Sequence, residues 1–161
     1  MSAANSAILN TFSLSGTDLS ITGVNVHILD GTGKTASPSG LGNLIIGYNK
    51  LGNSNGDIRT GSHNLVLGDQ NNYASFGGLV AGQNNGISGL YSSVSGGDTN
   101  TANFSSASVS GGTGNTANFS GASVSGGTGN TANSDYASVS GGNHDDAFAE
   151  YGWKGGGYHS P

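Results

Sequence analysis

The sequence predicts an all-β fold, a parallel β-solenoid, and three observations predict it. The first is a shortage of core-forming side chains. Of 161 residues, 31 are Gly and 87 are Gly, Ser, Asn or Thr, while Leu, Ile, Val and Phe together number 31. That share is below the roughly 20% at which a conventional globular core becomes doubtful, so a helical or doubly wound α/β enzyme domain is not expected. The second is a strict internal repeat, which separates this composition from disorder, since Gly/Ser-rich disorder lacks a period. The third is the regular recurrence of Gly and Asn between short apolar stretches, the residues that tight turns use.

Taken in chain order, residues 1–42 form the first expected region, a β-strand cap or attachment segment. Phe12-Ser13-Leu14, Leu19-Ser20-Ile21-Thr22 and Val24-Asn25-Val26-His27-Ile28 each alternate with the period of a half-buried strand. Gly16-Thr17 and Gly23 break the runs.

Residues 43–148 are the expected repeat domain. Val66, Val80 and Val94 recur every fourteen residues, and Val94, Val109, Val124 and Val139 every fifteen. Two places after each of the six valines from Val66 to Val139 stands a glycine: Gly68, Gly82, Gly96, Gly111, Gly126 and Gly141. Gly47 follows Ile45 in the same way. Eight places after most of the valines stands an alanine, as at Ala74, Ala102, Ala117, Ala132 and Ala147, with Ile87 one place early. A unit of this length suits two strands of about four or five residues joined by tight turns, stacked in parallel about 4.8 Å apart. The spacing between Gly47 and Val66 leaves a seven-residue insertion around residues 52–57, expected to project as a loop. Residues 149–161 form the last region, an aromatic and Gly-rich tail. Here Tyr151, Trp153 and Tyr158 are expected to cap the solenoid or to touch a partner.

A coil holding one Val and one Ala buries little, about 2–3 kcal/mol, and stacked repeats need neighbours to cover what one unit cannot. The upstream strands indicate where that cover comes from. Leu44, Ile45 and Ile46, and then Leu65, Val66 and Leu67, are continuous apolar runs, the pattern of a strand buried on both faces. One face packs inside the coil and the other meets another copy of the chain. In the late coils Val109 and the alanines are expected inside, with Ser108 and Ser110 toward the neighbouring copy.

The segments Asn64-Leu65-Val66-Leu67-Gly68 and Ser108-Val109-Ser110-Gly111 resemble the head repeats of YadA-like trimeric adhesins. The resemblance covers roughly residues 43–148. It implies a left-handed parallel β-roll of units of about fourteen residues, three rolls associating side by side. The late coils depart from that pattern, with Ser-Val-Ser-Gly-Gly where the family has two apolar positions.

Other chemistry is poorly supported. The net charge is −5, and four basic residues (Lys34, Lys50, Arg59, Lys154) make no phosphate-tracking surface, so nucleic acid is not an expected partner. Cysteine is absent, which removes disulfides and thiolate metal sites. No apolar run is long enough to span a bilayer, so membrane insertion is not expected. The segment Met1–Ala7 lacks the basic and apolar regions of a secretory signal. Gly31-Thr32-Gly33-Lys34-Thr35 contains the end of a P-loop motif, but Ile28 stands where its first glycine belongs and no helix-forming stretch follows. It is therefore expected to be a turn. Gly111-Gly112-Thr113-Gly114-Asn115 is similar to a calcium-binding nonapeptide, with Asn115 (and Asn130) in place of the ligating aspartate. A solvated turn is the expectation there, and Asp145 and Asp146 alone do not fill a calcium shell. His27, His63, His144 and His159 are scattered and form no metal set within one chain. No catalytic residue, cofactor or metal is expected.

These expectations combine into a non-enzymatic homotrimeric surface protein. The favoured form is a virion component, as a tail fibre, spike or capsid-decorating protein. The alternative is the head of a bacterial trimeric adhesin. The partners would be other copies of the chain, other virion proteins, or a cell-surface glycan or protein, at the virion surface or outside the cell.

Overall fold

The computed structural model describes residues 11–156. Strands β1 (Phe12–Ser15) and β2 (Asp18–Ile21) form an antiparallel hairpin, with Phe12 opposite Ile21 and Ser15 opposite Asp18. Gly16, at φ 61°, turns the corner between them. The third expected strand does not form: Val24–Ile28 is irregular, and Val26 and Ile28 are exposed. An alternating pattern becomes a strand only where its backbone groups find a ladder, and β1 and β2 pair only with each other.

From Leu44 onward the chain is a parallel β-solenoid of about six turns, with two sheets fed alternately. The first sheet contains β3 (Leu44–Ile46), β4 (Leu65–Asp69), β6 (Leu79–Gln83), β8 (Ser93–Val94) and β10 (Ser108–Val109). It continues through β12 (Ser123–Val124), β14 (Ser138–Val139) and β16 (Trp153–Lys154). The second contains β5 (Asn72–Tyr73), β7 (Gly86–Ile87), β9 (Thr101–Ala102), β11 (Thr116–Ala117), β13 (Thr131–Ala132) and β15 (Asp146–Ala147). Equivalent residues stack in register: Val66 on Val80, Val80 on Val94, and so on to Val139 on Lys154. The ladder thus runs past residue 148, where the sequence suggested that the repeat dissolves.

The interior is made of four columns. The valines from Val66 to Val139 line the first sheet, and Tyr73, Ile87, Ala102, Ala117, Ala132 and Ala147 line the second. Ile87 belongs to this column in regular register, and it is Ala74 that lies outside it. A further alanine column, Ala107, Ala122 and Ala137, fills one corner. The fourth column is polar. Asn71, Asn85, Asn100, Asn115 and Asn130 are completely buried. The expectation of a solvated turn at Asn115 and Asn130 is therefore corrected.

A buried amide is stable only if its hydrogen bonds are made, and here the repeat makes them. In each rung Oδ1 accepts the backbone N–H of the next asparagine, as from Asn115 to Asn100 and from Asn130 to Asn115, both at 2.9 Å. Nδ2 donates twice: Asn115 to the carbonyls of Gly111 and Gly127, each at 2.9 Å. Asn71, Asn85, Asn100 and Asn130 repeat the pattern. One side chain therefore closes its own turn and ties it to the next.

The glycines divide into two kinds. A Cβ on Gly112 would sit 2.1 Å from the carbonyl oxygen of Gly127, and φ at Gly112 is 85°. Gly82, Gly97 and Gly127 face the same obstacle in the adjoining turn. Gly96 and Gly111, which stand two places after a valine, have open space where a Cβ would go. The required glycine in the late turns is therefore the following one. One extra residue stands between Val94 and Gly97 compared with Val80 and Gly82. The first-sheet ladder shortens at the same place, from five-residue strands at β4 and β6 to two-residue strands from β8 on. Beyond each short strand, pairing resumes as single bridges such as Asp98 to Thr113.

The insertion does not project. Asn53 is buried, and its Nδ2 donates to the carbonyls of Gln70 (2.6 Å) and Asn85 (3.3 Å). Ser54 N–H donates to Asn84 Oδ1, and Ile58 N–H donates to Asn72 Oδ1. Its amides thus find partners along the flank of the solenoid, which holds it down as a strap.

Candidate interaction surfaces

The outer face of the first sheet is divided along its length. Leu44, Leu65 and Leu79 are successive neighbours in one outward row, and Ile46 and Leu67 in a second. Leu44 and Ile46 are exposed, and Leu65, Leu67 and Leu79 are half-buried. The interior residue of β4 is Val66; Ile45 occupies the same column at the open end and is exposed. From β8 onward the first row becomes Ser93, Ser108, Ser123 and Ser138, half-buried, and Ser95, Ser110, Ser125 and Ser140 are exposed beside it. Val109 and Ala117 face inward, fully buried, while Ser108 and Ser110 face out. The serines link sideways where they can, as Ser123 Oγ donates to Ser138 Oγ at 3.1 Å.

Aromatic rings form pairs at one corner. Phe104 stacks on Phe119 with centroids 5.6 Å apart, and Tyr136 on Tyr151 at 5.1 Å, each pair within 8° of parallel. Phe76 meets Tyr91 edge to face. Tyr91 and Tyr136 have left-handed backbones (φ 57° and 56°). Their rings lie over Gly77 and Gly121, where a Cβ would come within 2.8 Å of the ring. Sequence reading named Tyr151 and Trp153 at this end but missed these pairs. The signal was available, because Phe104 and Phe119 are fifteen residues apart, as are Tyr136 and Tyr151.

The C-terminal end changes chemistry in two columns at once. Asp145 takes the place of the buried asparagine and lacks the two amide protons that the ladder donates. Its N–H still bonds to Asn130 Oδ1. Lys154 takes the place of the valine, paired with Val139, and its ammonium lies 3.7 Å from the Asp145 carboxylate. Trp153 and Tyr151 are largely exposed, although Trp153 Nε1 donates to Ser140 Oγ at 2.8 Å. Tyr158 and His159 lie outside the described residues.

Several further polar groups make structural ties. Asp30 accepts the Thr32 N–H (2.9 Å) and hydroxyl (2.8 Å) on Oδ1, and the Ser39 hydroxyl (2.9 Å) on Oδ2. The Thr32 N–H, followed by the Ser37 hydroxyl and those of Thr32 and Ser39, holds its carboxyl well below the usual carboxylate range. The segment 31–35 is thus a turn organised by Asp30. His63 Nδ1 is 3.1 Å from the Thr35 carbonyl and Nε2 is 3.8 Å from Asp30 Oδ1. Ser39 hydrogen-bonds Asp30 and not the His63 imidazole. Burial pushes the Tyr73 phenol up, against the pull of Arg59. His27 is exposed, and His144 Nδ1 contacts Asn143 Oδ1. Among the described residues no group of three or more His, Asp or Glu is gathered to hold a metal. No described helix is long and apolar enough to cross a membrane.

No protein-family model, no curated protein and no solved structure matches this chain.

Proposed function

We propose that the protein is a non-enzymatic structural surface protein acting as a homotrimer: a rigid projection on a virion, as a tail fibre, spike or capsid-decorating protein, that also serves host-surface attachment. In this reading the solenoid is a left-handed roll of coils of fourteen and fifteen residues, three rolls side by side. The observation that carries it is the apolar outer face of the first sheet. Contiguous exposed apolar surface marks an interaction site, and this one is formed by Leu44, Ile46, Leu65, Leu67 and Leu79 in adjacent rows. A second copy presenting the same rows would cover them, and closed rotational symmetry is the usual way for identical chains to do so. The rest of the molecule suits a mechanical role, since both neutral side chains and backbone are tied turn to turn. The rows beginning at Asn64 also favour a second reading, the head of a trimeric adhesin, through the resemblance noted above.

Mass in solution tests the assembly. The expected value is three times the chain mass of 15.8 kDa, and a monomer would overturn the homotrimer. Leu65→Asp combined with Leu67→Asp should leave the valine and asparagine columns intact while abolishing assembly. Trimers that survive the double substitution would show that the interface lies elsewhere. Capsid or tail genes beside its own support the virion reading; an anchor in the same reading frame supports the adhesin.

A further inference from the structure

The second sheet bears a groove of about 290 Å³, closed on one side by the strap, in residues 53–58. Asn55 and Ile58 form that wall, and Gly86 lies among the lining residues of the sheet. Thr101 and Thr116 line the rest, with Ala74 as apolar ground. Asn72, Gly86, Thr101 and Thr116 are successive rungs of one row, so the groove follows the solenoid axis. Three steps of a parallel ladder span on the order of 14 Å.

Three features mark the groove as built. The row is threonine at 101, 116 and 131, and only at Gly86 does it drop to no side chain. Gly86 is not required by the backbone, because its φ is not left-handed and a Cβ would meet only Thr101 Cγ2 at 3.6 Å and Asn72 Cβ at 3.8 Å. The strap is fixed beforehand: Asn72 Oδ1 accepts the Ile58 N–H at 2.9 Å, Asn72 Nδ2 donates to the Gly56 carbonyl at 2.5 Å, and the Tyr73 N–H donates to the Ile58 carbonyl at 2.9 Å. Insertions into a solenoid commonly mark its binding face, and a wall held in place before binding saves ordering entropy.

We propose that this groove binds a short neutral oligosaccharide. Its lining holds no charged side chain, so neither a phosphate nor a metal cation finds a counter-charge. A peptide strand would need unpaired backbone groups, but the groove lies on a sheet face whose strands already pair with each other. A sugar presents hydroxyls to amides and hydroxyls and a C–H face to small apolar groups. The groove offers both: the Asn55 side-chain amide, which has no partner among the described residues, and the Thr116 hydroxyl proton, left over after Thr116 Oγ1 accepts from Thr101 (3.2 Å). Ile58, exposed at the wall, and Ala74 supply the apolar contact. This deepens the surface-attachment part of the proposed function and rests on it for its role, but the groove lies within one chain and does not depend on the trimer.

The test is an array of neutral and sialylated oligosaccharides probed with the purified full-length protein and with Gly86→Thr, which fills the groove while completing the threonine row. Asn55→Ala serves as a second, milder variant. Solution mass and melting temperature are measured on the same samples. The wild type should bind neutral oligosaccharides. Gly86→Thr should weaken that binding at least tenfold at equal mass with an unchanged or higher melting temperature, and Asn55→Ala should weaken it severalfold. Binding to no oligosaccharide, binding only to sialylated ones, or full binding by Gly86→Thr would each overturn the proposal. A monomeric mass with sugar binding intact would overturn the trimer and leave the groove standing.

Discussion

The early turns, from β3 to β7, and the late turns, from β8 to β14, share the valine and asparagine columns of the interior and differ on the outside. Both stack valine on valine and bury an asparagine at the same corner. Outside, the early rows are leucine and isoleucine and the late rows serine. The difference teaches that the fold is specified by the columns facing inward, where a methyl group or an amide proton has one place to go. The outer rows are left free for other work. A serine face contributes little burial, so the late turns depend more heavily on their internal ties, and substitution there separates the two kinds of position sharply.

The largest effect is expected at the required glycine of a late turn. Gly112→Ala drives a methyl group into the carbonyl of the next turn at a left-handed φ. It should cost about 3 kcal/mol or more, read as a large fall in the denaturation midpoint. Gly111→Ala, one residue earlier, enters open space and should change stability by about 0.5 kcal/mol or less, as surface substitutions do. Equal effects at the two positions would mean that the two glycines are misassigned between open space and close approach.

Next comes the amide ladder. Asn115→Ala removes the acceptor for the Asn130 N–H and the donor to the carbonyls of Gly111 and Gly127. With buried groups costing about 1–3 kcal/mol each when left unpaired, and the Gly127 carbonyl still accepting from Thr113, a loss on the order of 3 kcal/mol is expected. Asn118, three residues on, sits in a half-buried outer row and exchanges one side-chain hydrogen bond with each neighbour, Asn103 and Asn133. Asn118→Ala should cost about 1 kcal/mol or less. On the outer sheet face the comparison extends to assembly: Ser108→Asp with Ser110→Asp should weaken association less than the paired leucine substitutions at 65 and 67.

The solenoid and its valine column were legible because identical residues recur at a fixed interval, and a narrow coil admits few others. The polar column was not. Asn115 looks in sequence like any turn asparagine, and only the stacking of turns shows that its three hydrogen bonds are all made inside. Which glycine meets the adjoining turn was not legible for a related reason. Counting from the valine works until an extra residue enters after Val94, and then the glycine under steric pressure is one place further on, at Gly97. Similarly, Ala74 matched the counting rule while Tyr73 occupies the interior. The strap at 53–58 was expected to project because length alone says nothing about anchoring. Its anchors, such as Asn53 on Gln70 and Asn85, are long-range contacts of single amides with no local pattern. Val24–Ile28 failed in the opposite sense, as a good local strand pattern with no partner.

The smallest effect separates the two regions by pH. Late turns are tied by neutral amides, whereas the approach to the early turns is tied by the Asp30 carboxylate, which gathers Thr32 and Ser39 and lies beside His63. Its hydrogen bonds favour the charged form, so its pKa in the folded chain is below the unfolded value of about 3.9. Its contribution is therefore complete above the unfolded pKa and is lost progressively as pH falls through that value toward the lower folded one. Acidification from pH 6 to pH 3 should lower amide protection factors, exchange taken relative to the unfolded chain at the same pH, around residues 30–41 before it lowers them in β8 to β14. Asp30→Asn, which keeps the shape but gives up one acceptor for a donor, should raise exchange there already at pH 6 and remove most of the added acid response. If both regions loosened together in the wild type, the acid response would not originate at Asp30, and the distinction drawn there would have no energetic content.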